Sequence, residues 1–83
     1  MAKIIKFSTP FCGQCKVVEA NLKKIGVKYD SVDCEEQPSE ANKYDIRNVP
    51  TIIVVGDDGE VVQRIMGIVT PQRLKEILEP YAE

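Results

Sequence analysis

The chain reads as an α/β protein built as one mixed β-sheet with helices covering it, in the order β-α-β-α-β-β-α. Three observations predict this. A β-prone run, a helix-period run and a second β-prone run follow one another at the start of the chain. The strongest strand signal, Thr51-Ile52-Ile53-Val54-Val55, comes late, is β-branched throughout and is apolar on both faces, as a buried central strand is. A turn cluster then leads into another apolar run and a capped amphipathic helix. Eighty-three residues leave room for one domain, spanning 1–83.

Lys3 to Ser8 carries Ile4, Ile5 and Phe7 and is closed by Thr9-Pro10, since Pro10 has no N–H to give a ladder. From Gly13 the spacing becomes helical: Val18, Leu22 and Ile25 share a face, Lys23 and Lys24 sit in the last turn, and Gly26 is the stop. Val27 to Asp33 reads as the second strand, on Val27, Tyr29 and Val32, and the strand-helix-strand order implies a right-handed parallel crossover. Gln37-Pro38-Ser39 opens a short second helix to about Tyr44, with Ala41 and Tyr44 on one face. After Val49-Pro50 and the buried strand, Gly56-Asp57-Asp58-Gly59 supplies a turn before Val61, Val62 and Ile65, which predicts an antiparallel hairpin. Thr70-Pro71 gives an N-cap and a proline at N1 for a last helix with the stripe Leu74, Ile77, Leu78 and Tyr81.

Composition narrows the function. Eleven Lys and Arg against thirteen Asp and Glu give a net charge of -2, which argues against nucleic acid as a partner. No His is present, so His-based triads and His-containing zinc sites are excluded. The longest apolar stretch, Ile52 to Val55, is far short of the ~20 residues of a membrane helix. Met1-Ala2-Lys3-Ile4-Ile5-Lys6 does not read as a secretory signal, and the expected location is a reducing cytoplasm. Three Cys is an odd count that argues against a disulfide framework.

Cys12-Gly13-Gln14-Cys15 lies where the first strand gives way to the first helix. The spacing alone is weak, because three randomly placed cysteines produce it in roughly 7% of such chains. Its position adds more. Residues three apart on a helix bring their Cβ atoms within about 5 to 6 Å, near disulfide range. Unpaired N–H groups at the helix start favour an anion, so Cys12 is expected to have a depressed pKa and to be the attacking thiolate. Cys15, one turn inside and facing the sheet, suits the resolving thiol. Two small buried hydrophobes, or half a zinc knuckle completed by Cys34 and a carboxylate, are the alternatives.

Phe7-Ser8-Thr9-Pro10-Phe11-Cys12-Gly13-Gln14-Cys15-Lys16, Asn48-Val49-Pro50-Thr51, and Gly67 just before the last helix resemble the thioredoxin superfamily, in the right order and across essentially the whole chain. The resemblance implies a thioredoxin fold of glutaredoxin size, with a four-stranded mixed sheet in the order 2-1-3-4. It implies a cis Val49-Pro50 peptide against the CxxC, and an active-site loop of Pro10, Phe11, Gly13, Gln14 and Lys16. It also implies that Val49 pairs with a bound client chain, while Phe11, Gly13, Val49, Pro50, Met66, Gly67 and Ile68 form an apolar docking surface around Cys12; for Met66 and Ile68 individually, core packing is the alternative. The activity implied is reduction of protein disulfides, with no cofactor and no metal, by a monomer whose clients are disulfide-containing proteins and whose electrons come from an NADPH-linked, thioredoxin-reductase-like flavoprotein.

The chain departs from its relatives at specific places. Phe11 and Gln14 stand where thioredoxins usually have Trp and Pro, and Lys6 stands where they bury an Asp. Lys6 is expected to snorkel to solvent, or else to lower a thiol pKa. Glutaredoxins usually carry Lys three residues before the first Cys and a Gly-Gly followed by an acid, where this chain has Thr9 and Gly67-Ile68-Val69-Thr70. Glutathione-dependent reduction is therefore the second reading, and a non-catalytic metal- or partner-binding module the third. Cys34 is expected to be a half-buried structural thiol, with a regulatory or intermolecular disulfide as the alternative.

Overall fold

Alternation along the first strand, β1 (Lys3–Ser8), divides the interior in two. Ile4 faces one core and Ile5 and Phe7 the other, because successive strand side chains point to opposite faces of a sheet. The computed structural model describes residues 2–81; positions 1, 82 and 83, which the expected 1–83 unit includes, lie outside the described residues. After β1 come α1 (Gly13–Ile25), β2 (Asp30–Asp33), α2 (Pro38–Lys43), β3 (Thr51–Val55), β4 (Val61–Met66), α3 (Pro71–Leu78) and a 3-10 turn, Glu79–Tyr81.

The four strands form one sheet in the order β2-β1-β3-β4. β1 and β2 are parallel, joined by α1 as a crossover, while β3 runs antiparallel to both β1 and β4. On one face Ile4, Ile52, Val54 and Ile65 pack against Val18 and Leu22 of α1 and Leu74 and Leu78 of α3. On the other face Ile5, Phe7, Val32, Ile53 and Val55 lie under Tyr44, Ile46 and Val49, and the Phe7 and Tyr44 rings meet edge to face at 6.1 Å. All five residues of β3 are buried, as its doubly apolar sequence requires.

Local chemistry bounds several elements where the sequence signals it. Gly26 takes φ +75° and its N–H closes on the carbonyls of Leu22 and Lys23, a left-handed C-cap. Thr70 Oγ1 accepts from the Arg73 N–H at 3.2 Å to start α3. Gly59, at φ +84°, and the Gly56 N–H to Glu60 carbonyl bond of 2.8 Å close the hairpin. β4 carries one residue more than β3 across this end: Val54 pairs with Gln63 and Val55 with Val61, so Val62 bulges.

Two boundaries differ from the sequence reading. β2 begins at Asp30 rather than Val27, because the link from Gly26 must climb from the helix layer to the sheet; Val27 and Tyr29 use that climb to pack on the α1 core. Tyr81 belongs to the terminal 3-10 turn instead of α3, yet packs on the same core.

Leu22→Ala, at a fully buried site between α1 and the sheet, should lower unfolding free energy by about 2–5 kcal/mol. Val17→Ala, on the outer face of the same helix, should change it by no more than about 0.5 kcal/mol. Urea denaturation of both variants checks the assignment; equal losses would contradict this packing.

Candidate functional site

β1 leaves the sheet at Ser8, and the chain turns through Thr9, Pro10 and Phe11 to enter α1, with Cys12 as its N-cap in extended conformation. Cys12 and Cys15 are joined in a disulfide, their Cα atoms 5.2 Å apart. The Cys15 N–H donates to Cys12 Sγ at 3.0 Å, so this sulfur holds the place a Ser or Asp oxygen takes in an ordinary helix cap. A sulfur there receives a backbone donor and the positive end of the helix dipole, and both favour a thiolate over a thiol. Cys15 is buried, while Cys12 is partly exposed and Gly13, Gln14 and Lys16 open to solvent. Only one of the two sulfurs is thus well placed to meet another molecule.

The other expected residues come from the opposite end of the chain. Phe7 pairs with Thr51 in register as the last pair of that ladder, so Val49-Pro50 leads into β3 at the end of β1 from which the turn carrying the disulfide departs. The Val49-Pro50 peptide is cis, as the resemblance implied. Thr51 Oγ1 donates to the Asn48 carbonyl at 2.6 Å across this turn, and the Gly67 N–H donates to the Pro50 carbonyl at 3.0 Å. Gly67 sits at φ +79°, where an L side chain is strained, so it carries the chain from β4 past Pro50 and leaves Met66 and Ile68 exposed on either side of it. Phe11 is 91% exposed, Met66 64% and Ile68 50%. None of the three belongs to either core cluster.

A groove of about 280 Å³ runs along the other side of the disulfide, lined by Ser8, Thr9, Pro10, Cys12, Cys15, Lys16, Glu19 and Asp33. Lys6 lies near it and overturns the expectation that it snorkels to solvent: it is 3% exposed. α1 covers that face of β1, and the ammonium finds a carboxylate in place of water, with Nζ 2.8 Å from Glu19 Oε2 and 5.7 Å from the Tyr29 ring centre. Glu19 also pairs with Lys23 at 3.1 Å. Hydrogen bonds from Lys6 and then Lys23 hold the Glu19 carboxyl below its ordinary 4.5.

Cys34 is half-buried, follows β2 and donates its N–H to the Ser8 carbonyl at 2.9 Å. Burial, then the Asp33 carboxylate, pushes its thiol above the ordinary value, so it stays protonated at neutral pH. Sequence reasoning missed Glu19, although its spacing to Lys23 is a helical ion-pair signal. It also missed Asn21, whose Nδ2 donates to the Val69 carbonyl at 3.0 Å and ties α1 to the segment after Gly67. A contact between residues so distant in sequence leaves no local signal.

The family model described as Thioredoxin matches residues 1–80. A thioredoxin of Staphylococcus epidermidis is 33% identical over 85 residues, covering 95% of this chain and 81% of that protein. A prophage-derived thioredoxin-like protein of Bacillus subtilis, YosR, is 32% identical over 77 residues, covering 93% of this chain and 95% of that one. Among solved structures, a mutant thioredoxin from Halobacterium salinarum superposes with a TM-score of 0.85 at 27% identity, over 99% of this chain and 75% of its own. Thioredoxin from Malassezia sympodialis gives 0.84 at 25% identity, over 99% and 76%.

The Lys6–Glu19 pair makes stability depend on pH in one direction. Glu19 has a depressed pKa in the folded chain, so its contribution is fully present above the ordinary 4.5 and is lost as pH falls through the lower folded value. Glu19→Gln leaves the Lys6 ammonium without its carboxylate. At pH 7 it should cost about 1–2 kcal/mol, less than an enclosed pair would, because the Glu19 side chain is 41% exposed. The gap between wild type and variant, measured by urea denaturation, should hold steady near neutrality and close below 4.5. A gap unchanged by acid would show that the pair is not its source.

Proposed function

The chain belongs to the thioredoxin family and is a thiol-disulfide oxidoreductase, a protein-disulfide reductase whose redox couple is the Cys12–Cys15 pair; from that premise we propose the role of each residue and the source of its electrons. Cys12 is the nucleophile. The observation that carries this assignment is its N-cap position, with the Cys15 N–H on its sulfur. In the reduced protein the Cys12 thiolate attacks one sulfur of a client disulfide; that bond breaks and the departing client thiolate takes a proton. Deprotonated Cys15 then attacks Cys12 Sγ of the mixed disulfide, the second client thiolate leaves and is protonated, and Cys12–Cys15 is formed. Two electrons pass to the client in one cycle.

Phe11, Met66 and Ile68 form the apolar rim on which the client rests, and Val49, before the cis Pro50, offers its backbone to the client strand. Pro10, Gly13, Gln14 and Lys16 shape the loop, with Gly13 and Gln14 keeping the first turn of α1 open to solvent. Family membership implies disulfide-containing clients and a thioredoxin reductase in general terms. We assign this chain to the small, glutaredoxin-sized thioredoxins, reduced by an NADPH-linked flavoprotein, working as a monomer in the cytoplasm. The similarly sized relative in Bacillus subtilis supports the size class. Among the described residues no helix is long and apolar enough to cross a membrane.

Alkylation of reduced Cys12 against pH should give an inflection well below the ordinary thiol value of about 8.5. Cys15→Ser should retain attack and accumulate a covalent mixed disulfide with insulin or another client, Cys12→Ser should form none, and Cys34→Ser should still turn over. A Cys34→Ser variant that stalls would move resolution to Cys34 and sink the assignment.

The donor is tested separately. Thr9 and Ile68 stand where glutathione-using relatives carry contacts to that tripeptide. Thioredoxin reductase with NADPH should therefore reduce the disulfide faster than glutathione with glutathione reductase. Comparable turnover in the two systems would favour the glutaredoxin reading.

A further inference from the structure

A second groove, of about 240 Å³, opens on the α2 face of the sheet between β4 and the loop that leads from α2 to β3. Its lining is Asp45, Arg47, Asn48, Thr51, Arg64 and Met66. Arg64 and Met66 are two apart on β4 and emerge on the same side, opposite Ile53 and Thr51 in register. Arg64 Nη2 donates to the Tyr44 carbonyl at 2.8 Å, which anchors the guanidinium on a neutral acceptor. Among the described residues no carboxylate is paired with Arg64. Arg47 bonds Asp45 at 3.1 Å in a pair that is largely exposed, and Lys43 lies 5.3 Å from the Tyr44 ring centre. The groove lining thus has two cations against one carboxylate on a chain whose net charge is -2.

This basic groove is continuous with the client edge. Met66 is both its wall and part of the apolar rim, and Asn48 directly precedes Val49-Pro50. A client strand lying against Val49 and continuing along the loop passes over Asn48 and comes to Arg47 and Arg64. A carboxylate carried there meets a guanidinium whose position is already fixed and whose remaining N–H donors are free to pair in a fork. We propose that this groove is a subsite for an Asp or Glu side chain of the client, a few residues from the attacked cysteine, and that Arg64 selects it. The inference rests on the client edge proposed above.

The test uses the full chain and a matched set of disulfide peptides that differ only in Glu, Gln or Lys, placed a few residues to either side of the attacked cysteine. On one side kcat/KM should be about fivefold higher for the Glu than for the Lys peptide at low salt, the scale of an exposed ion pair gained in one and opposed in the other. The preference should fall toward one at about 0.5 M NaCl. Arg64→Gln should cut the ratio to about twofold or less, and Arg64→Glu should invert it. Lys75→Gln removes the same charge from α3 and should leave the ratio intact. Equal reduction of all peptides by the wild type at low salt leaves the client edge standing and overturns the subsite. A loss of preference in Lys75→Gln as large as in Arg64→Gln assigns it to the field of the whole molecule and overturns the subsite as well. Failure to reduce any peptide removes the client edge, and the subsite with it.

Discussion

The position of the first turn of α1 governs nearly everything around the disulfide. Val18 and Leu22 are locked between the sheet and α3, and that burial fixes the axis of a helix whose first turn projects beyond the end of β1. Cys12 can therefore cap the helix and remain partly exposed, while Cys15, one turn on, is driven into the protein. The difference in exposure between two chemically identical side chains is a matter of position along a helix docked by its buried stripe. Rotating α1 about its axis would turn both cysteines together, since residues three apart share a face, and the core would lose Leu22 in the process. The unequal exposure of the two sulfurs is in this sense held by hydrophobic packing.

Charge beneath the helix is arranged differently from the expectation drawn from relatives. A lysine occupies the strand position where the family usually buries an acid, and the carboxylate has moved to the helix, as Glu19. The ion pair spans the α1–β1 layer, so the buried charge is compensated from above, and Glu19 in turn is shared with Lys23 at the surface. Such an arrangement keeps a carboxylate on the wall of the groove that also holds Cys15, but one held ionised by two ammonium groups. A carboxylate so held is a poor proton acceptor near neutral pH; its role is to hold Lys6 and the local field in place.

Much of the fold was legible because local and global signals agree: the doubly apolar Thr51-Ile52-Ile53-Val54-Val55, the Thr70-Pro71 start and the Gly26 stop all sit where structure uses them. The disulfide was readable as a possibility from spacing and helix position. What escaped depends on contacts between segments far apart in sequence. Lys6 is apolar-flanked and alternates correctly for a strand face, yet nothing local states that Glu19 lies above it. β2 starts later than residue type suggests because Val27 and Tyr29 are strand-like residues that serve as packing on the climb to the sheet. The groove at Arg64 appears only when β4 is set against the loop after α2.

The bulge at Val62 bears on a different hazard. An exposed sheet border presents free main-chain groups to any passing β-strand, and a protein with Phe11, Met66 and Ile68 open to solvent already carries adhesive surface. Here the outer strands are poor templates for runaway fibrillar growth. β4 is thrown out of straight pairing by its additional residue and lines its border with Gln63 and Arg64, while β2 is four residues long and begins and ends in aspartate. Stickiness is thereby left to side chains such as Phe11, Met66, Ile68 and Val62, where contact can be brief and reversible, and withheld from the backbone, where it would be permanent.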